Sequence, residues 1–154
     1  MTRTAVLFTT AIGFLCSPKP ATARTTAALT SPVKSVYDDY LRIQVDLAND
    51  SLKGVATEAD AIAETVRGDR TKAIPRAVAT QAESLAKAST LDQARAAFKP
   101  LSNSLIQYLA SHNATGAYVE VYCPMTHASW LQADRNVNNP YLLQDMPTCG
   151  RIRN

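Results

Sequence analysis

The sequence predicts a mainly α chain: an up-down bundle of three to four helices followed by a small β-hairpin and an irregular tail. Three observations lead there. Apolar residues recur at helical spacing from Ser31 to His112. Alanine is frequent along the same stretch, which favours helix and allows close packing. After Gly116 the texture changes to aromatic and β-branched residues with prolines. At 154 residues with 46% hydrophobic and 19% charged residues, the chain has the size and composition of one folded domain, too apolar for disorder.

Each helix has its own signature. Val33, Val36, Tyr37, Tyr40, Ile43 and Leu47 form the first stripe, with Asp38, Asp39, Arg42 and Asp46 largely off it. Asn49-Asp50-Ser51 breaks the stripe and offers an N-cap for the next helix. Leu52, Val55, Ala59, Ile62, Ala63 and Val66 then carry the pattern to Gly68, where a polar loop runs to Lys72. Pro75 suits the first turn of a third helix bearing Val78, Ala82, Leu85 and Ala86. Thr90 with Gln93 three residues on is a capping-box signature for a fourth. That helix places Leu91, Ala94, Phe98, Leu101, Leu105 and Tyr108 or Leu109 on one side, and Pro100 inside it is expected to kink it. Connections this short make neighbours antiparallel. His112, at the helix end, reads as a partner of the helix dipole.

Beyond residue 116, Tyr118 to Cys123 reads as a strand that Pro124 ends or confines to an edge. Ser129-Trp130-Leu131-Gln132 reads as the return strand, with Trp130 anchoring the hairpin to the helices and Tyr118 and Tyr122 packing from one strand face. Asn138-Asn139-Pro140-Tyr141 reads as a turn. The expected organisation is a signal peptide over 1–23, a flexible segment over 24–32 and one domain over 33–154, divided into a bundle (33–113) and a tail (117–154).

The signal-peptide reading rests on Arg3, an apolar run from Ala5 to Leu15, and Ala21-Thr22-Ala23 as a small-x-small cleavage site that leaves Arg24 first. Acylation at Cys16 is the rival, and the bulky Leu15 before it argues against a lipoprotein. Secretion into a bacterial periplasm is the expectation. No apolar run reaches the roughly 18 residues of a bilayer span, so no membrane insertion is expected after cleavage. Removing Arg3 and Lys19 lowers the formal charge from +3 to +1, without the basic stripe of a nucleic-acid binder.

Cleavage also leaves two cysteines, Cys123 and Cys149. In an oxidising compartment such a pair reads first as a disulfide, worth about 3–4 kcal/mol for a loop of roughly 27 residues in the chain-entropy model. The same residues stand in two soft-ligand pairs, Cys123-Pro-Met125 and Met146-Pro-Thr-Cys149. In extended chain, residues i and i+2 project to one side, so Cys123 and Met125 can converge, with His127 continuing that edge. In a helical turn Met146 and Cys149 meet. Thiolate with thioether is the donor set that prefers Cu(I), and by the same softness Ag(I). Zinc fits less well, because structural zinc sites want four Cys or His ligands. Against these stand plainer readings: core methionines, an inert disulfide and a loop histidine. An enzyme is not expected, because the sequence shows no phosphate loop, no HExxH and no C-x-x-C.

The ordered set Tyr122-Cys123-Pro124-Met125, Trp130-Leu131-Gln132, Asn139-Pro140-Tyr141, Met146 and Cys149-Gly150 resembles a small periplasmic helical-bundle domain. That domain occurs alone or appended to CusB/HlyD-type adaptors of heavy-metal efflux pumps. Upstream, Tyr40-Leu41-Arg42-Ile43-Gln44 through Asp50-Ser51-Leu52, and Phe98-Lys99-Pro100-Leu101-Ser102, resemble its first and last helices. The resemblance implies a bundle with a Cys/Met-bearing tail, an association with copper or silver handling, an efflux adaptor as partner, and Cys123, Met125, Met146 and Cys149 as ligands. Two departures stand out: a shorter loop between Met125 and Trp130 without the usual glycine, and Leu142-Leu143 in place of Phe-Gly. His127 lies outside the pattern. The expected function is soft-metal binding with sequestration or handover, and the alternative is a structural or interaction module pinned by a Cys123–Cys149 disulfide.

Overall fold

The computed structural model describes residues 29–114, 118–144 and 146–153, so the expected signal peptide and Cys16 lie outside the described residues. The chain is mainly α: α1 (Val33–Ala48), α2 (Val55–Gly68), α3 (Arg76–Ala86) and α4 (Leu91–Ser111), then β1 (Val119–Cys123), β2 (Ala128–Gln132) and β3 (Arg151–Ile152). Each helix packs on the next, and α1 and α4 are joined chiefly by β2, which lies against both. The buried faces follow the apolar stripes: Val36, Tyr40, Ile43 and Leu47 of α1, Ala59 and Ile62 of α2, Val78, Ala82 and Leu85 of α3, and Phe98 and Leu101 of α4 are shut from solvent. Among the described residues, no helix is long and apolar enough to cross a membrane.

The helix ends show where local signals work and where they mislead. Thr90 caps α4, its hydroxyl accepting from Gln93 N at 3.2 Å. The return bond of the capping box is displaced by one residue, since Gln93 Oε1 accepts from Ser89 N and from Ser89 Oγ, both at 3.0 Å. The expected cap at Asn49-Asp50-Ser51 is corrected: α2 begins four residues after Ser51, behind Gly54, whose N–H donates to Asp46 Oδ2 at 3.1 Å. A carboxylate from the last turn of α1 thus caps α2, which spacing along one helix could not reveal. His112 does end α4, with its Nδ1 2.8 Å from Tyr108 O and its ring stacked on Tyr108.

The sheet has the order β2-β1-β3, antiparallel throughout. The hairpin register pairs Val121 with Trp130 and Cys123 with Ala128. The third strand was not expected. It pairs Ile152 with Val121 and Arg151 with Tyr122, so the chain end returns beside the cysteine-bearing strand. The outer edge of β2 is closed by side chains: Leu131 N donates to Tyr40 Oη at 3.1 Å, and Tyr141 Oη lies 3.2 Å from Ser129 O. Both phenols also meet the buried Ser102 hydroxyl, at 2.8 and 3.1 Å. Both rings pack on Phe98, Tyr40 stacked at 4.9 Å and Tyr141 tilted at 5.8 Å. Tyr40, Ser102 and Tyr141 therefore fix hairpin to bundle and cover polar groups that an edge strand would leave unpaired.

Trp130 is fully buried in the core that the helices share, and it has partners in the tail as well. It meets Tyr141 edge-on, donates from Nε1 to Gln132 Oε1 at 3.0 Å and faces Gly150, so it fixes the sheet to the tail. Tyr118 packs against Tyr37, whereas Tyr122 is half-exposed beneath the Arg153 guanidinium, 4.1 Å from the ring centroid.

Candidate thiol site

The two cysteines, 26 positions apart, stand side by side, with 2.8 Å between their sulfurs as free thiols. Cys123 arrives at the end of β1 with its side chain turned under the sheet and no exposure. Cys149 arrives from the tail just before β3 and is partly exposed. The pairing of β3 with β1 is what makes the meeting possible.

The hairpin tip shapes the surroundings of Cys123. Residues 124–127 form the turn, closed by His127 in the left-handed region at φ 48°. Extended chain therefore stops at Cys123, and the alignment of Cys123, Met125 and His127 along one edge does not continue past it. Instead, the Thr126 and Met125 backbones hydrogen-bond to the Cys123 sulfur, and the otherwise unpartnered, buried Thr126 hydroxyl faces it. Lys99 Nζ, from α4, donates to Thr126 O at 3.1 Å and holds the turn to the bundle. Burial pushes the Cys123 thiol up, yet hydrogen bonds from Cys149 and from the turn outweigh it and leave the thiol below its ordinary value. Cys149 is displaced upward, first by its hydrogen bond with Cys123, then by burial and by its electrostatic interaction with Cys123. The two thiols therefore titrate as a pair, Cys123 the readier to ionise and Cys149 the readier to keep its proton.

Met146 and Cys149 do occupy one turn, Cys149 N donating to Met146 O at 3.3 Å. The thioether residues lie on the surface, with Met125 57% and Met146 43% exposed, so neither is a core filler. His127 is exposed, its Nδ1 3.4 Å from Tyr122 Oη. Among the described residues, no group of three or more His, Cys, Asp or Glu side chains is placed to hold a metal ion. The two cysteine sulfurs thus meet with no third His, Cys or carboxylate ligand beside them among the described residues.

A residue read from sequence only as part of a turn organises the tail. Asn139 is fully buried. Its Oδ1 accepts from Tyr141 N at 2.8 Å and Leu142 N at 3.2 Å, its Nδ2 donates to Cys149 O at 2.6 Å, and its N–H donates to Pro147 O at 2.7 Å. The α1 side holds the same segment through Gln44 Nε2, which donates to Asn138 O at 2.8 Å, and through Ala48 O, which accepts from Gln144. Gly150 beside Cys149 is required for space: a Cβ there would lie 2.6 Å from Val121 Cγ1 and 2.8 Å from Trp130 Cη2. Gly150→Ala is expected to cost about 1–3 kcal/mol in urea unfolding through overpacking; a neutral substitution would show that the tail can shift at no cost.

A family model described as a protein of unknown function (DUF3347) matches residues 36–116. The match spans α1 to α4 and ends before β1, so the Cys/Met-bearing tail lies beyond it. No curated protein and no solved structure matches the chain. With more than half of its length matched, the chain belongs to the DUF3347 family of proteins of unknown function.

Proposed function

We propose that this is a secreted, periplasmic soft-metal protein whose reduced Cys123 and Cys149 bind one Cu(I) or Ag(I), with Met125 and Met146 as accessory thioether ligands. The metal is sequestered there or passed to an efflux adaptor. The observation that carries the reading is the direct contact of the two cysteine sulfurs at 2.8 Å, with both surface methionines one turn or less away in sequence. Two thiolates are the strongest soft donors a chain can offer, and thioethers bias the site further towards monovalent d10 ions. Hydrogen bonds from the hairpin tip to Cys123 favour the thiolate that such an ion needs. Two sulfurs each about 2.3 Å from a tetrahedral ion stand roughly 3.8 Å apart, so loading widens the pair, at the partly exposed Cys149 side chain.

The same contact favours a second reading, a disulfide that pins the tail. Against its being needed as a staple, Asn139, Gln44 and Gln144 already hold the tail by hydrogen bonds of their own. Anaerobic Cu(I) titration of the reduced protein against a chromogenic chelator separates the readings. Wild type is expected to withdraw about one equivalent. Cys123→Ser should lose that binding, and Met125→Leu and Met146→Leu should weaken it. Binding displaces the proton held on Cys149, so apparent affinity should rise at least about tenfold per pH unit below that thiol's pKa. Failure of the reduced protein to take metal, with a closed disulfide in the protein as isolated, would leave the staple reading standing.

A further inference from the structure

We propose that the oxidised Cys123–Cys149 pair is opened by a dithiol reductant that attacks the Cys149 sulfur and expels Cys123 as the leaving thiolate. This deepens the metal-binding reading and rests on it in one respect, that the reduced pair is the working state.

Three features of the fold give the reaction its direction. The sulfurs are in contact while the tail is held independently, so the pair closes and opens with little movement of the main chain. Only Cys149 is partly exposed, while Cys123 lies wholly beneath the sheet, so an incoming sulfur has a line of approach to one atom of the bond. The departing Cys123 sulfur is received by the hydrogen-bond donors of the hairpin tip, the Thr126 and Met125 backbones and the Thr126 hydroxyl. Exchange is fastest when the sulfur left behind is the better-stabilised thiolate.

The balance is that of thiol–disulfide exchange. One reductant thiolate forms a bond to Cys149 Sγ as the Cys149–Cys123 bond breaks, and that bond's electron pair leaves on Cys123. The second reductant thiol, deprotonated, attacks the reductant sulfur of the mixed disulfide and releases Cys149 as a thiolate. The reductant ends as a disulfide, this chain gains two electrons, and the two protons lost by the reductant end on the two cysteines. The reduced pair is then open to a soft metal, and metal and disulfide exclude each other.

The test uses purified, metal-free protein oxidised with a mild oxidant, with closure checked by intact mass. It is exposed briefly to a low concentration of glutathione, a monothiol probe that has no second thiol to resolve the mixed disulfide intramolecularly, then acid-quenched, alkylated and mapped by peptide mass. Glutathione is expected on Cys149 with alkylated Cys123, at least tenfold over the reverse arrangement. In a second arm the reduced single-cysteine variants meet a bulky aromatic disulfide. Cys123→Ser, reacting at Cys149, should exceed Cys149→Ser, reacting at Cys123, by a similar factor, both being checked for native circular dichroism. Equal adducts, a preference for Cys123, or failure of the pair to close would overturn the proposal. No metal is present in either arm, so a failed Cu(I) titration would count against the binding reading and leave this result as it stands.

Discussion

Arg95→Met is expected to destabilise the fold by about 3–5 kcal/mol, the range for removing one partner of a buried ion pair. In urea unfolding the midpoint should fall steeply, and by heat the melting temperature should drop by roughly 10 °C. Arg95 is a nearly buried cation on α4 whose guanidinium serves three segments. It pairs with Asp50 in the α1–α2 connection, donates to Leu47 O at the end of α1 at 3.2 Å, and donates to Pro140 O at 2.9 Å and Leu142 O at 3.4 Å in the tail. Methionine keeps much of the volume but removes the donor shared by the Asp50 carboxylate and three carbonyls, of which Pro140 O and Leu142 O lie in the tail. Asp50 itself sits in the left-handed region at φ 53°, so the α1–α2 connection should loosen with it. Arg95→Lys should rescue only a fraction, because one ammonium cannot span a fork of acceptors. A loss below about 1 kcal/mol would mean that water satisfies these groups as well as Arg95 does.

Trp130→Ala is expected to cost about 3–5 kcal/mol, as for other large-to-small changes at fully closed sites. Its consequence reaches beyond stability. Trp130 forms the floor on which Gly150 rests, and Gly150 follows Cys149 directly, so the cavity should release the tail from the sheet. The separation of the two sulfurs should then become variable. Unfolding by denaturant measures the first effect, and the rate of air oxidation of the thiols measures the second. Trp130→Phe should retain most of the stability and the oxidation rate. A Trp130→Ala protein that closes its disulfide at the wild-type rate would show that the tail is positioned from the α1 side alone, through Gln44 and Gln144.

The helical body was legible because its information is local and repeated. The stripe from Val36 to Leu47 is the buried face of α1, and the Thr90 cap is where its residue pattern says. The α2 start is not legible locally, because its capping carboxylate, Asp46, comes from another helix. The tail was harder for the same reason on a larger scale. Asn139 has the composition of a turn residue, and nothing nearby announces that its side-chain amide reaches Cys149 O ten residues on. Arg95 reads as one more polar position on a helix, and its acceptors lie 45 to 48 positions away. The strand Arg151–Ile152 is too short to carry an alternating pattern, and its existence depends on β1 already being in place.

By itself the sequence determined the mainly α class, the helix faces, the hairpin, and that two cysteines and two methionines crowd the last third of the chain. Periodicity and composition act over a few residues, and those features need no more. Only the tertiary structure decided that Cys123 and Cys149 touch, that one is buried and the other partly open, and that Met125 and Met146 lie outside the core. Those outcomes depend on which backbone groups the tail satisfies as it returns, through Asn139, Arg95 and the β1–β3 pairing. Such long-range choices are made by the closing of hydrogen bonds in a buried interface, where an unmet donor or acceptor costs more than a met one contributes.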